Sequence, residues 1–258
     1  MKVLFIGDVV GGPGRRGLAA TMPSLRERHA PDLVVVNGEN SAGGMGITEK
    51  TAKALFAAGA GVITTGNHVY RHREAYPFLN RSERVVRPAN YPYANPGRGY
   101  TVVDVGEARV GVINLSGAVG LKVARSPFHE ADSILAKIEC DFVVVDFHAE
   151  VTSEKVAMGW HLDGRVAAVF GTHTHVPTAD GRVLPRGTAF ISDVGMTGSR
   201  TSVLGVKPEL ILESFITQMP VKFETAEEDV WVMGAAVTVN DKGLADSIEQ
   251  VMVPAPAG

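Results

Sequence analysis

Two packed sheets with helices outside them, an α/β class, are predicted by three features of this 258-residue sequence. Short unbroken apolar runs alternate with helix-length segments through the first third of the chain, the rhythm of an α/β protein. Three runs in succession end in glycine followed by Asp, Glu or Asn. A second series of apolar runs, separated by hairpin signals, follows the first, which is more than one wound sheet needs.

The first strand is Val3 to Ile6, an unbroken apolar run of the buried kind. It ends in Gly7-Asp8, and a glycine-rich stretch, Gly11-Gly12-Pro13-Gly14, leads to a helix from about Arg15 to His29. Pro23 inside that helix lacks a backbone donor and predicts a kink or a split. Leu33 to Val36 is the second strand, ending in Asn37-Gly38-Glu39-Asn40. Thr48 is the expected N-cap of a helix from Glu49 to Ala58, stopped by Gly59 and Gly61. Val62 to Thr65 is the third strand, ending in Gly66-Asn67-His68.

The middle is less regular. Arg84 to Arg87 reads as a short strand and Pro88 to Gly99 as a loop. Tyr100 to Val105 and Arg109 to Leu115 flank Gly106-Glu107 as a hairpin. A helix is expected from Glu130 to Ile138, then a strongly apolar strand, Phe142 to Val145, ending in Asp146-Phe147-His148-Ala149-Glu150. Thr152 is the expected cap of a helix through Trp160. Val166 to Phe170 is the next strand, and Gly171, free of a side chain, lets the chain turn into Thr172-His173-Thr174-His175. On an extended segment the two histidines point to one side. Val183-Leu184 and Thr188 to Ser192 read as neighbouring strands, Asp193 to Ser202 as a glycine-rich loop, and Lys207 to Gln218 as a helix with Pro208 in its first turn. Val230 to Val239 and Leu244 to Val253 form a long hairpin around Asn240-Asp241-Lys242-Gly243. One domain over 1–258 is expected, with Val253 to Gly258 frayed.

The net charge of −3 carries no polybasic signature, so long nucleic acid is not an expected partner. A short nucleotide is compatible with it. The single cysteine, Cys140, cannot form an internal disulfide and reads as a small buried residue. The start of the chain lacks the pattern of a secretory signal, and no apolar run is long enough to span a bilayer, so a soluble cytoplasmic protein is expected.

The residues at the strand exits are Asp8, Glu39, Asn40, Asn67, His68, His148, His173 and His175. In α/β sheets ligands gather outside the carboxyl ends of strands. Taken singly, each would be a turn, cap or hydrogen-bonding residue. Together they form a set of carboxylate, amide and imidazole donors suited to first-row metals such as iron and manganese. They are too many for one tetrahedral site, and two ions could share Glu39 through its two carboxylate oxygens.

The order of these residues resembles the calcineurin-like metallophosphoesterase superfamily: an early Asp, an acidic residue after the second strand, Gly-Asn-His, a lone His, then Gly-x-His-x-His. Here these are Gly7-Asp8, Gly38-Glu39-Asn40, Gly66-Asn67-His68, His148 and Gly171-Thr172-His173-Thr174-His175. Two departures stand out. The usual Asp-x-His start is Asp8-Val9-Val10, and the usual bridging Asp is Glu39 with Asn40 beside it. These departures, with Asp146 to Glu150 and Thr152-Ser153-Glu154-Lys155, are similar to the bacterial YmdB-like phosphodiesterase branch. The resemblance implies a four-layer α-β-β-α sandwich and a di-iron or di-manganese centre. It implies hydrolysis of cyclic nucleotides, 2′,3′-cyclic and 3′,5′-cyclic ones among them. It puts Asp8, Glu39, Asn40 and His175 on one ion, Glu39, Asn67, His148 and His173 on the other, and leaves His68 as the proton donor.

Glu150 either orients a ligand or ends a strand. Arg15, Arg16 and Arg200 read as solvated rather than phosphate-binding. A phosphomonoesterase of the same fold and a regulatory nucleotide-binding protein with little turnover are the competing readings. A homo-oligomer is the default expectation for assembly.

Overall fold

The computed structural model describes residues 1–256; the expected fraying at Ala257 and Gly258 lies outside them. The strands in chain order are β1 (Lys2–Ile6), β2 (Asp8–Val9), β3 (Leu33–Asn37), β4 (Val62–Thr64), β5 (Tyr100–Val105), β6 (Ala108–Ser116) and β7 (Phe142–His148). They continue with β8 (Ala168–Thr172), β9 (Arg182–Val183), β10 (Ala189–Ile191), β11 (Met196–Ser199), β12 (Val230–Val239) and β13 (Ala245–Pro254). The helices are α1 (Gly11–His29), α2 (Glu49–Ala57), α3 (Tyr76–Arg81), α4 (Pro127–Leu135), α5 (Thr152–Leu162) and α6 (Pro208–Thr217).

Two mixed sheets face each other. One is seven-stranded in the order β2-β11-β12-β1-β3-β4, with β13 on β12; the other is six-stranded in the order β5-β6-β7-β8-β10-β9. Strand alternation sorts the side chains. Val3 and Phe5 of β1 point between the sheets, where Phe5 stacks on Phe170 of β8 at 4.6 Å between ring centroids. Leu4 and Ile6 point the other way, onto Leu18, Met22 and Leu25 of α1 and Leu55 of α2. In the second sheet Val145 and Phe147 pack outward on Ile134 of α4 and Met158 of α5. The result is helix, sheet, sheet, helix, the four-layer arrangement.

Several elements differ from expectation. α1 starts a turn early, at Gly11, and runs unbroken through Pro23. The glycines serve packing rather than a loop: a Cβ on Gly14 would lie 2.3 Å from the Thr197 carbonyl oxygen of β11. Pro23 costs little here because Ala19, whose carbonyl loses its partner, is exposed to water. β2 and β11 pair in parallel where turn and loop were expected. Arg84 to Arg87 makes only isolated bridges, and α3 was not foreseen. Val151 occupies the cap position of α5 without a side-chain bond, and Thr152 is its first helical residue. Val253 and Pro254 are paired in β13 rather than frayed. Cys140 is half-buried.

Gly171 lies within β8, where a Cβ would meet the Ser192 carbonyl oxygen at 1.7 Å; it permits close strand approach, not a turn. The turn falls on the histidines themselves, with φ of 97° at His173 and 65° at His175. They are not an extended i, i+2 pair. Each occupies the left-handed region, at a cost of about 1–3 kcal/mol that the surrounding structure must hold.

Candidate metal centre

All eight predicted residues meet at one place. β1, β3 and β4 deliver Asp8, Glu39, Asn40, Asn67 and His68 from the first sheet; β7 and β8 deliver His148, His173 and His175 from the second. Asp8, Glu39, Asn40 and His148 form a buried floor, and Asn67, His68, His173 and His175 a half-exposed rim.

Two clusters share Glu39. In one, His148 Nε2 lies 3.2 Å from Glu39 Oε1, 2.9 Å from Asn67 Oδ1 and 3.1 Å from His173 Nδ1. In the other, the Asn40 amide lies 3.2 Å from Glu39 Oε1 and 3.0 Å from His175 Nε2, which is 4.0 Å from Asp8 Oδ1. His68 stands aside from both. Its backbone N–H donates to Glu39 Oε2 at 3.1 Å, and its Nε2 is 3.4 Å from the Asn67 amide.

Each of the three imidazoles has its outer nitrogen engaged. His148 Nδ1 donates to Thr172 Oγ1 at 2.9 Å, and that hydroxyl donates onward to Asp146 Oδ1 at 2.7 Å. His173 Nε2 donates to Glu150 Oε2 at 2.8 Å, and His175 Nδ1 to the Leu204 carbonyl at 3.0 Å. The inner nitrogens all face the common space. This is how ring orientation is set for metal binding.

Electrostatics point the same way. Asp8 is fully buried and its Oδ1 has no hydrogen-bond partner among the described residues. Burial pushes its carboxyl above the usual range, against the pull of His175 and His148. Burial also acts on Glu39, but the charge and hydrogen bond of His148 outweigh it and bring the carboxyl down to about 2. His148 is lifted to about 9, because Glu39, Asp8 and Asp146 overcome its own desolvation. Burial and the neighbouring His148 lower His173 to about 4. A proton on His148 therefore does, in this arrangement, what a cation would do. A buried orphan carboxylate and three inward nitrogens fit one or more metal ions. Glu39, His148 and His173 bring one donor atom each within 4.8 Å of one another.

A family model described as YmdB-like protein matches residues 4–251. The chain belongs to the YmdB-like family. It is 44% identical over 256 residues to a Bacillus subtilis (strain 168) protein named 2′,3′-cyclic-nucleotide 2′-phosphodiesterase, spanning 98% of this chain and 97% of that one. A crystal structure of a hypothetical protein from Thermus thermophilus matches with a TM-score of 0.94 and 40% identity, over 99% of this chain and 100% of the other. A structure described as a novel phosphatase from Mycoplasma pneumoniae matches with a TM-score of 0.93 and 34% identity, over 99% and 94%. Among the described residues no helix is long and apolar enough to cross a membrane.

Around the YmdB-like centre lies a set of residues that the strand-exit pattern missed. Asn37 Nδ2 donates to Asp146 Oδ2 at 2.9 Å across the two sheets, and burial lifts Asp146 to about 7. Asp146 and His148 sit two apart on one strand, so their common direction was readable in principle. Lys155 and Asp193, both nearly inaccessible, pair at 2.7 Å. Asp193 Oδ2 also accepts from the Thr174 backbone N–H at 3.1 Å and its hydroxyl at 2.7 Å, so this pair pins the residue between the two strained histidines. Lys155 belongs to the Thr152-Ser153-Glu154-Lys155 stretch noted above, but nothing in the sequence pairs it with Asp193. The three arginines are occupied elsewhere: Arg15 on the Ser41 carbonyl, Arg16 with Glu227 and Arg200 over Trp231.

Proposed function

We propose that this chain is a dinuclear metal-dependent phosphodiesterase acting on 2′,3′-cyclic nucleotides, working as one domain. The observation that carries the reading is the pair of donor clusters that share Glu39: His148 Nε2 lies 3.2 Å from its Oε1 and 3.1 Å from His173 Nδ1, while His175 Nε2 lies 4.0 Å from the unpartnered Asp8 Oδ1. The name of the Bacillus subtilis relative supplies the substrate class. Asp8, Glu39, Asn40 and His175 would hold one ion, and Glu39, Asn67, His148 and His173 the other, iron or manganese by donor type. Bound there, the ions supply positive charge for the phosphoryl oxygens and an acidified water as nucleophile.

The chain's own residues do the rest. The buried floor excludes bulk water, and the half-exposed rim leaves one side open for a small phosphodiester. His68, clear of both clusters, gives its proton to the oxygen that leaves phosphorus as the diester opens to a monoester. Its backbone bond to Glu39 and contact with Asn67 hold it beside the centre. The cytoplasmic location expected from the sequence is kept with this reading.

Elemental analysis of protein purified without chelator, paired with hydrolysis of 2′,3′-cyclic AMP, is the test. About two iron or manganese ions per chain and turnover are expected. Protein that takes up no metal under any loading condition sinks the proposal. His68→Ala should keep its metals and lose roughly 10²–10⁴-fold in turnover; loss of the metals instead would make His68 a ligand or a prop. The Mycoplasma pneumoniae structure's description as a phosphatase favours a monoesterase as second reading. Faster hydrolysis of p-nitrophenyl phosphate than of its bis ester would select it. Tight nucleotide binding with negligible turnover would select a regulatory binding protein.

A further inference from the structure

Tyr70, two residues past His68, lines a cavity of about 370 Å³ together with Tyr91, Pro92, Asn95, Lys122 and Val123. That size falls within the roughly 300–1,000 Å³ of small-molecule pockets. Its walls are mainly aromatic and apolar. Among the described residues that line it, Lys122 is the one charged side chain, and there is no carboxylate. Apolar walls with a few polar groups at the edge suit a flat heterocycle better than a phosphate.

The cavity is ordered and tied to the metal centre. The Arg71 N–H donates to the His68 carbonyl at 2.9 Å, so Tyr70 sits inside the turn that carries His68. The Tyr70 hydroxyl donates to the Pro96 carbonyl at 2.7 Å. Tyr76 meets the Tyr70 ring edge-on at 5.5 Å, and its hydroxyl donates to the Tyr70 carbonyl at 3.0 Å. The Tyr91 ring lies 6.2 Å from that of Tyr70 at 37°, too close for a slot, so the two make one wall. Burial pushes the Tyr91 hydroxyl up to about 12, and the Glu39 carboxylate adds to the rise, so the wall reaches the edge of the centre. Next to Tyr91, the buried Asn90 bonds the Ser116 carbonyl at 2.7 Å and the Ser116 N–H at 2.9 Å. Ser116 is the register partner of His148. The Asn90 carbonyl also accepts the N–H groups of Ala124 and Arg125 at 3.1 and 3.2 Å, which holds the segment bearing Lys122 and Val123. A wall ordered in advance loses little entropy when a ligand covers it.

The chemistry of the ester sets the direction. In a 2′,3′-cyclic nucleotide both ester oxygens belong to the ribose. The oxygen that leaves phosphorus takes its proton from His68, so the ribose lies on the His68 side of the phosphate and the base beyond it. That is the side on which Tyr70 stands. We propose that the nucleobase of the substrate stacks on the wall of Tyr70 and Tyr91, with Lys122 and the Asn95 amide at its polar edge. This base subsite rests on the reading of the centre as a cyclic-nucleotide phosphodiesterase. Stacking serves any base, because every base has a π-face.

The test compares 2′,3′-cyclic AMP with glycerol 1,2-cyclic phosphate, which has the same strained ester and no base, on the metal-loaded full chain. The readout is the ratio of the two kcat/KM values. Tyr70→Leu should lower that ratio roughly 5–150-fold, the worth of one base–aromatic stack. Tyr70→Phe, which keeps the ring, should retain most of the parent's ratio. Ala124→Trp fills the cavity from an exposed position and should lower the ratio without disturbing the core. Circular dichroism and metal content matching the parent show that the variants are folded and loaded. Folded, loaded Tyr70→Leu and Ala124→Trp variants with the parent's ratio overturn the proposal. Calorimetric titration with adenosine 3′-monophosphate reads the same subsite without turnover. A parent that hydrolyses neither ester defeats the phosphodiesterase reading; weaker nucleotide binding by Tyr70→Leu would still support the base subsite, and equal binding by parent and variant would overturn it.

Discussion

Lys155→Met removes one ammonium and little else, since the two side chains have similar unbranched stems. Lys155 and Asp193 are each about 1% exposed, and Nζ lies 2.7 Å from Oδ2. After the change Asp193 keeps three donors, the Thr174 N–H and hydroxyl and the Gly195 N–H. It loses its ion partner in a dry site. Breaking a buried pair from one side costs about 3–5 kcal/mol; the three remaining donors put this case near the lower end. For a chain of this size that lowers the melting temperature by roughly 6–12 °C. The double variant Lys155→Met/Asp193→Asn removes both charges and should recover about 1 kcal/mol or more. Urea denaturation of metal-free protein, parent against single and double variants, measures this directly. The variant should also hold metal roughly 10–100-fold less tightly, because Thr174 is what Asp193 fixes between His173 and His175. A single variant within about 1 kcal/mol of the parent, or a double variant no better than the single, would refute the reasoning.

Three further outcomes follow from the same geometry. Gly66→Ala places a Cβ 2.3 Å from both Glu39 Oε2 and His148 Nε2; metal content should drop severely, and a fully loaded, active variant would show that the ligands can move aside. Asp8→Asn removes a buried charge with an orphaned oxygen, so metal-free protein should gain about 1 kcal/mol of stability while metal affinity falls; a destabilised metal-free variant contradicts the account. His148, lifted to about 9, must give up a proton to an ion. Metal affinity should therefore climb as pH rises toward 9 and fall roughly tenfold per unit below it. A chelator competition that is flat across neutral to alkaline pH would exclude that exchange.

The convergence of these residues was legible because they follow apolar runs, and a strand that ends announces where its last residues point. Asp8, Glu39, Asn67 and His148 needed no more than that. Their supports were not legible. Lys155 sits on a helix, where a lysine ordinarily marks the wet face. Asn37 follows the second strand with nothing to tell it from the residues beside it, yet it reaches across to the other sheet. β2 and β11, with two and four residues, are too short to carry a period. Gly11, Gly12 and Gly14 fall inside α1 rather than before it, because close helix–strand packing and chain flexibility use the same residue. α6 misleads in the opposite sense: its apolar residues predict a helix correctly but not that the helix stands outside the core.

The place of β12 has a consequence for how the chain is made. β1 lies between β3 and β12, and the first residue of the chain is tied to Val239 by the Met1 amine at 2.8 Å. During synthesis β1 can pair with β3 almost at once. Its other edge stays open, with unpaired N–H and C=O groups, until residues 230–239 have left the ribosome. The first sheet is therefore completed only after residues 230–239 have been made, and its closing contact spans 238 residues. Such long-range pairing is slow to form. The nascent chain must remain soluble with one edge of an apolar strand bare for as long as the ribosome takes to pass from β3 to β12.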